Sequence, residues 1–353
     1  MAIVTFISRT FGLGLTFGHT MIIGIIILVA VFLMSMQDIQ FLVKAQAVCL
    51  FANITTTLLT GVLLLFSGHW SFANVANLFQ TNLEPSAGIP GWIIGMALLI
   101  TPFFGFETVP QMVEEGDFPT SNTKKAICGS VLTCGTIYVF FFFCVAGLYS
   151  FQTLLSGDAQ NGFMTITAMQ NLLGWKIWPL IYGCVSILMG MTASILGFWM
   201  STARMLYSMG KKNFLPEIFT KVNSHQQPIL PNLFLLGISL TFILLQNATT
   251  FMNDFFNLMS FGCACAYALT MVSAVRIKHP EWYKDNKNVV KGGDFTRILA
   301  MVIMLSIAFF CTLGQGRGSW ISFGVYMGVG VVIWLWMVAI RWKKSGVIIE
   351  TPD

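Results

Sequence analysis

Nine blocks of mostly apolar residues, each long enough to cross a lipid bilayer as a helix, make up most of this chain. They run over 17–36, 46–67, 91–113, 126–149, 177–201, 231–248, 255–275, 297–315 and 319–341, with the polar turn Gly314-Gln315-Gly316-Arg317-Gly318 separating the last two. A spanning helix needs about 20 such residues. Hydrocarbon offers no water to main-chain N–H and C=O groups, so only helices and closed barrels can cross it. The blocks lack the period-two alternation of a barrel strand, which leaves an all-α polytopic helical bundle. Composition agrees: 56% of the residues are hydrophobic and 9% are charged, against roughly 25% charged in soluble domains.

Basic residues orient the bundle. Cytoplasmic segments of membrane proteins are enriched in Lys and Arg. Let the connection after the third block be cytoplasmic and the sides alternate. Lys44, Lys124, Lys125, Arg204, Lys211, Lys212, Lys221, Arg276, Lys278, Lys284, Lys287, Lys291, Arg297, Arg341, Lys343 and Lys344 then share one side, 16 of the 19. Only Arg9, Lys176 and Arg317 face the other. The C-terminus is therefore expected in the cytoplasm and the N-terminus outside. Nothing in residues 1–16 would carry it across, and an odd number of further upstream helices would repair the parity. The net charge of +5 is a matter of membrane side and implies no nucleic-acid partner. The eight cysteines lie within apolar blocks without a CxxC pair and read as small buried hydrophobes. The four histidines fall at or beyond block ends, so no metal site or cofactor is implied. Asn247-Ala248-Thr249 matches a glycosylation triplet on the outer side, and residues 276–297 read as a solvated cytoplasmic loop.

The third block carries the chemistry. Pro102 removes a backbone donor and clashes with the preceding turn, and Gly105 tolerates conformations other residues avoid. Thr108 and Gln111 have capping-box spacing, and Pro110 stands in a first turn. The segment reads as two half-helices joined by an unwound stretch at 102–107. Such a stretch survives at membrane depth only where it is buried in protein or lines a cavity. Its freed carbonyls suit an ammonium, and the start of the second half suits an anion. A plain proline kink is the alternative. Glu107 weighs against it, because a carboxylate within the bilayer costs about 2.5–3.5 kcal/mol on insertion scales. It serves either as a brace for the broken backbone or as a direct ligand.

Pro102-Phe-Phe-Gly-Phe-Glu107, followed by Glu114-Glu115, Pro119 and Lys124-Lys125-Ala126-Ile127, resembles the sixth helix and cytoplasmic exit of the amino acid–polyamine–organocation permeases. A second stretch, Ser201-Thr-Ala-Arg204-Met-Leu-Tyr-Ser-Met-Gly210-Lys-Lys-Asn-Phe-Leu-Pro216, is similar to that family's eighth helix and following loop, and Pro228 and Pro231-Asn232 open the next span as the family does. The resemblance implies a partial leucine-transporter-type inverted-repeat fold. The nine spans would correspond to helices four to twelve, with residues 1–353 forming one transporter domain that lacks the first three helices. It implies that backbone around Thr101, Phe103, Phe104 and Gly105 meets the substrate, that Phe104 or Phe106 is a gating aromatic, and that Phe198 is a second aromatic facing it. Core or lipid packing explains Phe198 equally well. Thr192 and Ser194 match hydroxyl ligands of sodium-dependent relatives, and helix packing explains them as well. Proton-coupled members can carry a lysine in the helix matching 46–67, where this chain has Asn53.

The expected function is transport of an amino acid or related amine across a cell membrane by alternating access, without enzymatic chemistry. A truncated homologue that inserts but does not transport, a channel and a membrane scaffold are the alternatives. The residues specify neither the amino acid, the coupling ion nor an oligomeric state.

Overall fold

The computed structural model describes residues 17–76, 81, 84–111, 122–150, 153, 164–245, 249–276 and 293–345. Arg9, the stretch with Glu114, Glu115 and Pro119, Asn247-Ala248 of the glycosylation triplet, and loop residues 277–292 lie outside the described residues. Ten helices are distinguished here: α1 (Phe17–Ser35), α2 (Ile39–Leu65), α3 (Gly91–Leu98), α4 (Thr108–Gln111), α5 (Thr123–Ala146), α6 (Ile177–Lys211), α7 (Ile229–Leu245), α8 (Thr249–Arg276), α9 (Gly293–Leu313) and α10 (Arg317–Ser345). Among the described residues seven stretches are long and apolar enough to cross a bilayer, counting Gly91–Gln111 as one, and Met21–Ser35 and Ile229–Leu245 are shorter apolar helices. The chain is an all-α multi-pass membrane protein.

Helix ends depart from the apolar blocks where capping chemistry outlasts hydrophobicity. α2 begins at Ile39, ahead of the block at 46, because the Asp38 side chain accepts the Gln40 N–H at 2.7 Å. α6 continues past residue 201 to Lys211. It stops where Asn213 adopts a left-handed φ of 57°. There the Asn213 N–H donates to Gly210 O (3.0 Å) and the Phe214 N–H to Met209 O (2.8 Å), the paired closure of a Schellman motif. Within α6 the segment Gly183–Met189 is π-helical, which shifts the register of everything after it.

α6 is the central post. It packs against α1, α2, α4 and α7, while α3 rests on α8 and α9, α5 on α2, and α10 on α8. Three apolar clusters result: one joins the ends of α2 and α5 to Ile166–Met169, one joins Leu28 and Val31 to Leu196 and Trp199, and one joins Ala97, Leu258, Phe261 and Cys311. Much of α10, including Val325, Val332 and Trp334, is exposed. Lipid makes that exposure harmless, since in hydrocarbon only polar groups must be enclosed. Hydroxyls accordingly bond within their own helices, as Thr241 does to Gly237 O and Ser306 to Val302 O.

One buried polar group ties three helices together. Asn232 of α7 accepts the Trp199 indole N–H of α6 at 2.7 Å and lies 3.1 Å from the Ser35 hydroxyl of α1, and its amide donates to Pro228 O at 2.5 Å. Asn232→Leu leaves the indole facing an apolar side chain, while the Ser35 hydroxyl keeps Phe32 O at 2.7 Å. Such an orphaned indole costs about 1–3 kcal/mol. The variant is expected to unfold at a clearly lower temperature in detergent, and Trp199→Phe, which removes one donor, at an intermediate one. Parent-like midpoints for both would show that the hub carries no stability.

Candidate functional site

Pro102 dictates where α3 stops. Its ring excludes the carbonyl four residues earlier, and that residue is Leu98, the last of the helix. The break therefore opens before residue 102: a 3₁₀ turn follows at Thr101–Phe103, then open turns to Glu107, and α-helix resumes at Thr108. Gly105 sits at φ +123°, a conformation side chains resist.

Neighbouring helices take over the hydrogen bonds that α3 gives up. The Thr101 hydroxyl donates to Leu98 O (3.0 Å) and pairs with the buried Ser260 hydroxyl of α8 at 2.5 Å. The Cys311 thiol of α9 reaches Ala97 O at 3.5 Å, and the Tyr138 hydroxyl of α5 donates to Pro102 O at 2.9 Å. Among the described residues the carbonyls of Phe103 and Phe104 accept no hydrogen bond. Main-chain acceptors at the break are thus left without a partner among the described residues.

Glu107 accepts the Gly105 N–H through Oε2 at 2.8 Å, which is the brace anticipated as one of its two roles. The expected capping box does not form. Thr108 is the first residue of α4 rather than its cap, its hydroxyl donates back to Gly105 O (2.6 Å), and the Gln111 side chain accepts from the Ser201 hydroxyl of α6. The first donors of α4 are also engaged, since the Thr108 and Val109 N–H groups bond Gly105 O and Phe106 O. The N–H groups of Phe106 and Glu107 find no acceptor among the described residues, so the break presents donors as well as acceptors.

Aromatic rings surround it. Tyr267 of α8 lies 5.2 Å from the Phe106 ring and 6.1 Å from the Phe104 ring, and its buried hydroxyl has no hydrogen-bond partner among the described residues. Phe103 packs on Tyr138, 5.6 Å between rings. A Cβ on Gly105 would meet Phe198 Cζ at 3.7 Å, so the structure brings Phe198 to the break with Thr101, Phe103, Phe104, Phe106 and Glu107. Thr192 and Ser194 lie elsewhere. Their hydroxyls donate to Leu188 O and Gly190 O of their own helix (2.6 and 2.9 Å). Ser194, without Thr192, lines a crevice of about 380 Å³ between α2 and α6 together with Gln46 and Asn53. Sequence reasoning passed over Tyr138, Ser260 and Tyr267. The available signal was a polar tip within an apolar span, and only the fold shows which such tips meet the break.

The amino acid permease family model matches residues 2–340. A methylthioribose transporter of Bacillus subtilis (strain 168) is 21% identical over 292 residues, covering 80% of this chain and 58% of the relative. The branched-chain amino acid permease BcaP of the same organism is 23% identical over 70% of this chain and 50% of its own length. The human Asc-type amino acid transporter 1 is 24% identical over 77% and 48%. The chain spans about half the length of the curated relatives it matches.

Gly105→Ala tests the backbone at the break. The new methyl has ordinary room, so its effect isolates the strained φ, about 1–3 kcal/mol. A lower unfolding midpoint is expected. Gly237→Ala, in α7 with open space around it, should be neutral or mildly stabilising. Equal midpoints for the two variants would remove the strained glycine from the site.

Proposed function

The chain belongs to the amino acid permease family, and from that premise we propose that it carries an amino acid or a related amine across a membrane by alternating access around the break between Leu98 and Thr108. One observation carries the reading: main-chain carbonyls that accept no hydrogen bond among the described residues, those of Phe103 and Phe104, stand at a helix break inside a spanning segment. An ammonium group satisfies such acceptors, and helix breaks at the midplane serve substrates in this way. Glu107 adds negative charge beside them, with one oxygen engaged by the Gly105 N–H and the carboxylate also within the influence of the Tyr267 hydroxyl. Phe104, Phe106, Phe198 and the body of Tyr267 form an apolar wall suited to an uncharged side chain, with Phe104 or Phe106 as the moving aromatic. Thr192 and Ser194 remain proposed contributors to an ion site or to packing.

The similarity to a methylthioribose transporter supports a second reading, an uncharged polar substrate held by hydroxyl groups. The partially buried pairing of Thr101 with Ser260 would supply its contacts. The distribution of Lys and Arg supports a cytoplasmic C-terminus in a cell membrane. A protease-cleavable tag after Asp353 should then be protected in intact cells and cut after permeabilisation, and cleavage in intact cells would reverse the orientation.

Uptake by proteoliposomes of a radiolabelled panel, neutral and cationic amino acids together with methylthioribose, tests the function. Saturable uptake of a neutral amino acid is expected. Glu107→Gln keeps an oxygen for the Gly105 N–H and removes the charge, whereas Glu107→Ala removes both. If the carboxylate binds the amine, both variants should weaken apparent affinity at least tenfold. If it only braces, Gln should transport like the parent and Ala should fail. A correctly inserted protein that takes up no compound would favour the inert-homologue reading.

A further inference from the structure

The two sides of the break are anchored unequally. The first side is tied to three helices: Thr101 to Ser260 of α8, Pro102 O to Tyr138 of α5, and Ala97 O to Cys311 of α9. α4, beyond Gly105, is held differently. Its hydrogen bonds to Gly105 and Phe106 are local. Among the described residues its one side-chain hydrogen bond to another helix runs from the Ser201 hydroxyl of α6 to Gln111 Oε1. Gly105, at φ +123°, stands between the two sides as the residue best able to change its dihedrals.

The receiving surface on α6 is firm. Within the stretch Gly197–Ser201, Gly197 abuts the Gln46 amide of α2, Phe198 meets Gly105, Trp199 bonds Asn232 of α7, and Ser201 is buried. Gln111, by contrast, is exposed, so protein does not enclose this bond on the α4 side. A fixed donor facing an acceptor on a segment with this one side-chain tether among the described residues is the arrangement of a catch.

Resting on the carrier reading above, we propose that Ser201–Gln111 is a latch that holds α4 against α6, and that its release swings α4 about Gly105 to open the break on the α4 side. Gln111 and Ser201 are positioning residues that touch no substrate. A single hydrogen bond between membrane helices shifts such an equilibrium by about threefold to fifteenfold.

A native thiol reports the opening. Cys263 follows Ser260 and precedes Tyr267 on α8 at spacings of three and four, so it shares the face turned to the break. It is only partly buried. The experiment follows peptide-resolved alkylation of Cys263 by a small water-soluble maleimide, on the full chain in proteoliposomes with the reagent on the α4 side. Ser201→Ala and Gln111→Ala are each expected to raise the Cys263 rate by about threefold to fifteenfold, the double variant no further, and Ser201→Thr, which keeps a hydroxyl, to stay near the parent. Modification of Cys128, in α5, serves as the internal reference. Unchanged Cys263 rates in both single variants would overturn the latch. So would a rise shared equally by Cys128, because general loosening would explain it. The readout needs no transport. A selective rise without uptake of any compound would uphold the latch and defeat the carrier reading, and uptake without the rise would do the reverse.

Discussion

Every main-chain polar group at bilayer depth must find a partner inside the protein, and Pro102 makes that impossible within one helix. Its ring ends α3 at Leu98, and the surroundings of the break follow from the need to satisfy what is released. The Ser260 and Tyr138 hydroxyls and the Cys311 thiol converge on it from three other helices, and the Thr101 hydroxyl turns back to Leu98 O. That convergence positions α5, α8 and α9 around α3. Among the described residues the carbonyls of Phe103 and Phe104 accept no compensating hydrogen bond.

α6 forms the opposite wall, and it meets α2 through a repeating match of small and polar residues. Gln46 and Asn53 are seven apart on α2, Gly197 and Gly190 seven apart on α6. Gln46 lies against Gly197 and donates to Ala193 O at 3.0 Å, and the Asn53 amide fills the space above Gly190. Thr60, a further seven along, accepts the Trp178 indole N–H at 3.0 Å. The two helices run antiparallel, joined by neutral groups at successive levels. Among the described residues no ionisable side chain lines the crevice between them. With Asn232 fastening α1 and α7 to the same helix, α6 is braced on several sides at the level where it receives Phe198 and Ser201.

Much of this was legible beforehand. The length and polarity of the apolar blocks yield the helices, because hydrocarbon penalises any other arrangement, and Pro102 with Gly105 marks the interruption. What failed was local. Thr108 and Gln111 have the spacing of a capping box, yet the Thr108 hydroxyl turns back to Gly105 O and Gln111 turns to Ser201. Spacing lists the partners within reach along one helix, while a partner on another helix enters only through packing. The start of the break was misplaced for a simpler reason, since a proline acts on the carbonyl four residues before it.

By itself, then, the sequence determined the solvent, the helical class, the interruption and the family resemblance, all of which depend on local composition and on one ring's sterics. Tertiary structure alone decided that Tyr267, Ser260 and Tyr138 meet the break, that Thr192 and Ser194 turn to their own backbone, and that, among the described residues, side chains tie one side of the break to other helices three times and the other once. Those outcomes depend on which faces of distant helices meet, and that is set by close packing summed over the whole bundle rather than by any neighbour in the chain.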